Sequence, residues 1–454
     1  MARAVGSSAV RLVFRHCGVG VVRGVAATLL LRRAVNSKEE RSVRILHLVN
    51  AIDRDQLGGM QRYAAELASA LTARGHDVTV ATKRLTKDLP PEERLPSGVC
   101  LLRLDVPSRV ERTYALRYPT ALILRTARLV SRGGYDVVHA QFAPQGFACR
   151  LARRPYVYTF QAPAWAELTE ERGGRYAWPS TLDGAAETAF RVVERAAVSG
   201  AAKRIVLSDF MQGELRSLAP RAPQADLIPG GVDTDFFSPG YPASLAGDPW
   251  AGDEGRVLFC ARRLVPRTGV LNLVRALPDL LARMSDLRVA IAGTGFLRDE
   301  IVGLIASTGI GDRVRLLGRV PDEQLRDWYR RATLVVVPTA HLEGFGLSTA
   351  EALACGTAVV GTAAGATPEL LAQVDAGLIA PDGSPAALRA AIASALARGP
   401  QLAEFGSRGR ALAEREWSWS VVAERHEPIF EALLRARGDG RVTTVDRAPG
   451  ALAK

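Results

Sequence analysis

The sequence predicts an α/β protein made of two doubly wound, parallel-sheet domains joined by one linker. Three observations carry this reading. A chain of 454 residues exceeds what one ordinary core encloses and suits two domains of roughly 200 residues each. From residue 43 to about residue 435, short apolar runs alternate with helical stretches, the pattern of βαβ units. One stretch rich in Pro, Gly and Asp, "FFSPGYPASLAGDPWAGDEG", interrupts the alternation, which then restarts.

The elements follow in chain order. "VRILHLV" is a buried first strand, followed by a loop ending in Gly58-Gly59. "MQRYAAELASALTARG" has apolar residues at helical spacing and a terminal Gly75. "DVTVAT" and "VCLLRL" are the second and third strands, "YDVVHAQ" and "YVYTF" are further ones, and helices lie between them. "RIVLS" leads into a helix and "ADLIPGG" closes the first half. This gives a domain over 42–237 and a linker over 238–254. The second half reads "RVLFCA" strand, "LNLVRALPDLLARM" helix, "LRVAIAG" strand and "EIVGLIAST" helix. It continues with "RVRLLG" strand, "DEQLRDWYRRA" helix, "TLVVVP" strand, "GLSTAEALACG" helix and "TAVVGT" strand. Helices from Pro385 finish this domain over 255–415, a last helix spans 416–437, and 438–454 is a tail. Such sheets bind ligands at the carboxyl ends of their strands, where helix N-termini point unpaired N–H groups outward.

Composition narrows the class. Hydrophobic residues at 48% and charged ones at 23% are those of a globular protein, and no uninterrupted apolar run is long enough to span a bilayer. The five cysteines (Cys17, Cys100, Cys149, Cys260, Cys355) are scattered without CxxC spacing. This opposes a disulfide framework or a zinc site and fits a reducing, cytoplasmic setting. Of the net charge of +12, residues 1–38 carry seven basic side chains and no acid, leaving +5 for the rest. This leader over 1–41 reads as an interfacial segment drawn to anionic lipid on the inner membrane face, as a transit peptide, or as a disordered extension or the product of a start codon placed too far upstream. The body has no long basic stripe with interleaved aromatics, which opposes nucleic-acid binding.

The segment "HLEGFGLSTAEALACGTAVVGT" carries the most chemistry, with Glu343 and Glu351 eight residues apart. Taken alone, EGFG would be a turn and Glu351 a solvated helix residue. Here the glycines Gly344 and Gly346 follow a strand and open a helix near Leu347. Close backbone approach and unpaired N–H groups around Phe345 to Leu347 then meet an anion. Glu343 is placed for sugar hydroxyls and Glu351 for ribose hydroxyls.

This segment resembles the E-x7-E motif of family-4 retaining glycosyltransferases, and the resemblance covers roughly residues 43–435. It includes "QLGGMQRYAAELASALTARGHDV", "LIPGGVDTDFF", "ARRLVPRTGVLNLVRAL", "AGTG" and "VRLLGRVPDEQL". It implies a GT-B fold, a nucleotide-sugar donor held mostly by the C-terminal domain, an acceptor bound mainly by the N-terminal one, and a last helix that crosses back. In similar enzymes an arginine at the place of Arg263, with a lysine five residues on, contacts the donor diphosphate. A fixed guanidinium suits a leaving group whose negative charge grows as the bond breaks. Thr268 stands where that lysine falls, and Arg267 is the natural substitute. Gly58 and Gly59 resemble the family's glycine loop near the donor phosphates, and Gly293 and Gly295 its donor-side glycine turn. Similar enzymes often carry H-x-H where this chain has His139 and Gln141; glutamine hydrogen-bonds but does not titrate near neutral pH. His139 joins Arg263, Arg267 and Glu343 as a catalytic candidate, while Gln141, Gln161 and Trp165 are acceptor-side candidates.

Asp53-Arg54-Asp55 and Asp233-Thr234-Asp235 both spell D-x-D, a metal-holding pattern of the other main glycosyltransferase fold. The second matches a structural turn of the GT-B family, so no metal and no cofactor is expected. The activity implied is retaining, metal-independent transfer of a hexose-type sugar from a UDP- or GDP-sugar to a hydroxyl of a sugar, lipid-linked or small-molecule acceptor, in envelope glycan or glycolipid synthesis. Two other readings are a non-catalytic GT-B binding protein, motivated by Gln141 and Thr268, and a nucleotide-sugar epimerase.

Overall fold

In the structure, a computed structural model, the residues described are 42–52, 58–107, 114–164, 183–242, 245, 248–250, 252, 255–436 and 438. The 1–41 leader, the Asp53-Arg54-Asp55 triplet, Trp165 and nearly all of the 438–454 tail lie outside them.

β1 (Arg44–Leu48) is buried over four of its five positions, as expected of a strand covered on both faces. It pairs in parallel with β2 (Asp77–Lys83) and β5 (Val137–Ala140), Ile45 lying opposite Val78 and Val137. Outward from β2 come β4 (Cys100–Leu104) and β3 (Glu92–Arg94); outward from β5 come β6 (Val157–Phe160), β7 (Lys203–Val206) and β8 (Asp226–Leu227). The edge departs from the expected parallel arrangement, because β3 runs antiparallel to β4. A polar Glu-Glu-Arg strand has no apolar face to bury and is stable only at a sheet edge, here with Glu93 bound to Arg103 at 2.6 Å.

The second sheet has the order β11-β10-β9-β12-β13-β14. Its strands are β9 (Arg256–Ala261), β10 (Leu287–Ala292), β11 (Val314–Gly318), β12 (Leu334–Val337), β13 (Val359–Thr362) and β14 (Ile379–Ala380), and every ladder is parallel. Counted within the sheet, this is the doubly wound order, which reverses between the first and fourth strands. The reversals fall between β1 and β5 in one sheet and between β9 and β12 in the other, so the loops after these four strands form the crevices.

The chain then crosses back. A π-helical turn over Ala413–Trp417 leads into the Trp419–Ala436 helix. There Val232 N donates to Trp417 O at 2.7 Å. Trp419 meets Tyr63 of the Gly59–Ala73 helix edge-on at 5.5 Å, and Arg74 grips Glu427 at 2.5 and 2.8 Å. The glycines of "PGG" permit this closure: a methyl on Gly231 would sit 2.5 Å from the Trp419 ring, and one on Gly230 would sit 2.4 Å from Phe345. Asp233 Oδ1 accepts from the N–H groups of Asp235 and Phe236 at 3.1 and 2.9 Å, so this D-x-D copy closes a turn. Among the described residues no helix is long and apolar enough to cross a membrane.

Candidate functional site

The loop from Pro338 to Gly346, after β12, carries Glu343 and is fixed from several sides. Arg267 donates from Nη1 to Leu342 O at 3.1 Å, and its own carbonyl accepts from Ala340 N at 2.9 Å. Ala366 N donates to Glu343 O at 2.9 Å, and Gly365 lies so close that a methyl there would reach 2.5 Å from Glu343 N. Leu342, just before Glu343, has φ +55°, one of two non-glycine residues with positive φ among those described. Such a conformation persists only when its surroundings impose it, and it concentrates at functional sites.

Glu343 Oε2 accepts from Arg262 Nη2 at 2.5 Å, in a pair whose side chains are 13% and 9% exposed. Arg262 also donates to Thr339 Oγ1 at 3.2 Å. Burial alone would lower the Arg262 pKa, yet Glu343 holds it above the ordinary arginine value. Arg263 is exposed and Arg267 buried. Arg267 thus braces the Glu343 loop through one of its nitrogens. The Thr268 hydroxyl faces both Arg263 O, at 2.6 Å, and Val265 O, at 2.7 Å. It closes the 263–268 turn and supplies no charge.

Glu351 is buried on the Leu347–Ala354 helix. Its Oε2 accepts from Tyr329 OH at 3.0 Å, and its Oε1 from Arg62 Nη1 at 3.3 Å. Arg62 comes from the other domain and also holds Asp322 at 2.7 and 2.8 Å. Burial raises the Glu351 pKa, against the opposing pull of Arg62 and Tyr329.

Two helix N-termini meet here, one from each domain. The Gly59–Ala73 and Leu347–Ala354 helices start at Gly58 and Gly346, neither with a side-chain cap, and a methyl on Gly59 would lie 3.5 Å from Leu347 Cδ1. Unpaired N–H groups of both ends are therefore available to an anion. Gly293 and Gly295 press against the backbone of Arg262 and Leu264, where a methyl would approach the carbonyl oxygens to 1.9 and 2.2 Å. Phe345 is buried, and its ring packs edge-on against Trp417 at 5.8 Å.

His139 is set apart from this group. Its ring is fully buried, 4.8 Å from His47 and 5.8 Å from His426 of the crossing helix, with Nε2 2.6 Å from Thr159 Oγ1. Burial lowers all three pKa values, to about 3 for His47, about 4 for His426 and well below the ordinary value for His139. The cluster is neutral, and His139 has no surface from which to meet a substrate in this conformation. Gln141 is buried too: its amide nitrogen donates to His47 Nδ1 at 3.2 Å, and its oxygen accepts from Gln161 Nε2 at 2.9 Å. Gln161 in turn faces the site loop, since a methyl on Gly344 would lie 2.2 Å from its carbonyl oxygen.

Arg262, Arg62, Tyr329 and Asp322 were not anticipated. Arg262 was signalled only by the Arg-Arg doublet after β9, and Arg62 only by its place in the first turn after the glycine pair. Ser208 and Glu369, likewise unanticipated, tie the domains together. Ser208 Oγ donates to Gly344 O at 2.8 Å, and Glu369 accepts from the N–H groups of Asp209 and Phe210 at 2.9 and 2.8 Å. Among the described residues no group of three or more His, Cys, Asp or Glu side chains is placed to hold a metal.

Comparison with known proteins agrees with this architecture. Residues 249–412 match the family described as Glycosyl transferases group 1, and residues 58–231 the Glycosyl transferase 4-like domain. The chain is 30% identical over 400 residues to a D-inositol 3-phosphate glycosyltransferase of Acidothermus cellulolyticus, spanning 84% of this chain and 87% of that one. It is 30% identical over 386 residues to a phosphatidyl-myo-inositol mannosyltransferase of Mycobacterium leprae, spanning 84% and 94%. Among solved structures, sucrose-phosphate synthase from Thermosynechococcus elongatus superposes with a TM-score of 0.73 at 23% identity, over 87% of this chain and 100% of that one. HepE of Anabaena, in complex with UDP-glucose, gives 0.67 at 20%, over 86% and 100%. The chain belongs to the group 1 glycosyltransferases of family-4 type and has their GT-B fold.

Proposed function

We propose that the chain transfers a hexose, with retention, from a UDP- or GDP-sugar to a hydroxyl of an inositol phosphate or a lipid-linked inositol. The observation that carries the donor site is the meeting of two uncapped helix N-termini beside Glu343 and Glu351. The diphosphate lies against those N–H groups with Arg263 as counter-charge, the sugar against Glu343, and the ribose against Glu351 once Arg62 yields it. Closure of the domains excludes water and favours transfer over hydrolysis. The leaving phosphate takes the acceptor's proton as it attacks from the same face, so no side-chain nucleophile and no metal is required. The acceptor class rests on the two inositol-directed relatives, and UDP is favoured by the UDP-glucose complex of HepE. Peripheral contact with the inner membrane face is part of the proposal. It is supported by the Tyr114–Ser131 and Ala143–Leu151 helices, which bear Arg117, Arg125, Arg128 and Arg150, no acid, and the exposed Leu124 and Leu151.

The test is a thermal-shift screen against UDP-, GDP-, ADP- and TDP-sugars with chelator present, followed by product analysis with inositol 3-phosphate. A ligand held only by the folded state at 100 times its dissociation constant adds about 2.7 kcal/mol of stability. A shift lost in Glu351→Ala and Arg263→Ala, and an α-configured product from an α-configured donor, support the proposal. No shift with any nucleotide moves the reading to a non-catalytic binder. An inverted product, or activity abolished by chelator, overturns the mechanism. Isomerised donor with no acceptor present indicates an epimerase.

A further inference from the structure

Positive charge beside the donor was expected from Arg263 and Arg267, yet the guanidinium that touches Glu343 belongs to Arg262. It is the first residue after β9, Glu343 lies in the loop after β12, and these strands flank the reversal of the sheet. The Arg262 backbone is fixed as well: its N–H donates to Ala292 O at 2.9 Å, and its carbonyl is packed against Gly293. From that anchored start the side chain spans Thr339 Oγ1 and Glu343 Oε2 with one nitrogen. Its Nε is buried without a hydrogen-bond partner. A buried donor left unmade is costly unless a ligand completes it. Neither neighbour duplicates the role, since Arg267 binds Leu342 O and the Thr268 hydroxyl is spent within its own turn.

We propose that Arg262 is the positioning residue for the donor's sugar ring: it holds Glu343 by Oε2, turns Oε1 toward a sugar hydroxyl, and offers its own remaining N–H to a sugar oxygen. This rests on the donor-site reading above and adds a residue to it. The part of the donor it serves is the hexose, so the nucleoside diphosphate alone should not depend on it. Lysine keeps the charge and can offer its one nitrogen to Thr339 and Glu343, but it lacks the separate Nε donor that arginine leaves for a sugar oxygen.

The experiment compares wild type, Arg262→Gln and Arg262→Lys in two measurements: calorimetric affinity for UDP and GDP without sugar, and steady-state turnover of the corresponding sugar nucleotide. Arg262→Gln is expected to bind the nucleoside diphosphate within about twofold of wild type while kcat falls about 100-fold, the loss typical of one preorganised donor. Arg262→Lys is expected to recover about tenfold of that loss. Nucleotide affinity also shows that each variant is folded; if Arg262→Gln fails this check, Arg262→Lys alone decides, with normal nucleotide affinity and kcat about tenfold below wild type expected. The assignment is overturned by unchanged kcat in either variant, by a parallel fall in nucleotide affinity and kcat, or by a lysine variant no better than glutamine. If wild type itself binds no nucleotide, or Glu351→Ala binds it as well as wild type, the donor-site reading fails first.

Discussion

Gly344→Ala isolates the contact between the two domains. A methyl group on Gly344 would lie 2.2 Å from the carbonyl oxygen of Gln161. Carbon and oxygen need about 3.3 Å, so either the Glu343 loop retreats or the domains part, by roughly 1 Å. Gly344 is not among the positive-φ residues, so alanine adds no backbone strain and the whole effect comes from the cleft. Retreat would also stretch the 2.8 Å bond from Ser208 Oγ to Gly344 O. A misplacement of about 1 Å at a reacting centre costs on the order of 100-fold. The expected outcome is therefore kcat/KM down about 100-fold, with a melting temperature within about 3 °C of wild type because neither sheet is disturbed. The assay is donor consumption at subsaturating acceptor, run beside a thermal melt. Wild-type kcat/KM in a folded Gly344→Ala protein would refute the argument. So would a melting temperature lowered by about 8 °C or more, because the clash would then have been absorbed by the core.

Three further outcomes are expected. His47 and His426 titrate near 3 and 4 in the folded protein, and His139 well below the ordinary value, against about 6.5 unfolded. Because only the unfolded chain takes up these protons as pH falls from 6.5, stability present above that value should decline by up to about 1.4 kcal/mol per pH unit per histidine; denaturant titrations between pH 6.5 and 4.5 check this, and a flat profile refutes it. Tyr63→Phe removes the 3.1 Å donor to His426 Nε2, whose Nδ1 faces Val422 O at 2.7 Å, and should cost about 1–2 kcal/mol in urea unfolding. Glu369→Ala removes the carboxylate that accepts from the first two N–H groups of the Asp209–Leu218 helix across the cleft, while the Ser208 cap stays in place; losing about 1 kcal/mol of closed state should lower kcat/KM about fivefold and leave the urea midpoint nearly unchanged.

Much of the frame was legible because buried parallel strands announce themselves. β1, β5, β9 and β12 are apolar runs bounded by turn residues, and the glutamate pair is set by its place after β12. Polar elements were less legible. The Glu-Glu-Arg edge strand carries no periodic signal, since its stability comes from the exposed rim of β4. Two-residue β8 is too short to show a pattern. Within the site, Glu343 and Glu351 share one stretch of sequence, whereas their partners approach from other elements. Arg62 reaches Glu351 across 289 positions and Ser208 reaches Gly344 across 136. No local window holds both ends of such a pair. The hydrogen bonds of Arg267 and Thr268 to backbone carbonyls were equally hidden, because spacing locates a side chain along the chain and says nothing about which carbonyl it will meet.

The return of the chain after Ala413 matters for anyone recombining these enzymes. The Trp419–Ala436 helix follows the second sheet in sequence yet packs on Tyr63, Arg74 and His139 of the first. A chimaera that swaps everything after the linker would pair a foreign helix with a native histidine cluster and leave Gly231 facing the wrong ring. The natural exchange unit therefore has two seams, one near residues 238–254 and a second in the π-helical turn before Trp417. The first half should keep its own last helix as a detached but integral part.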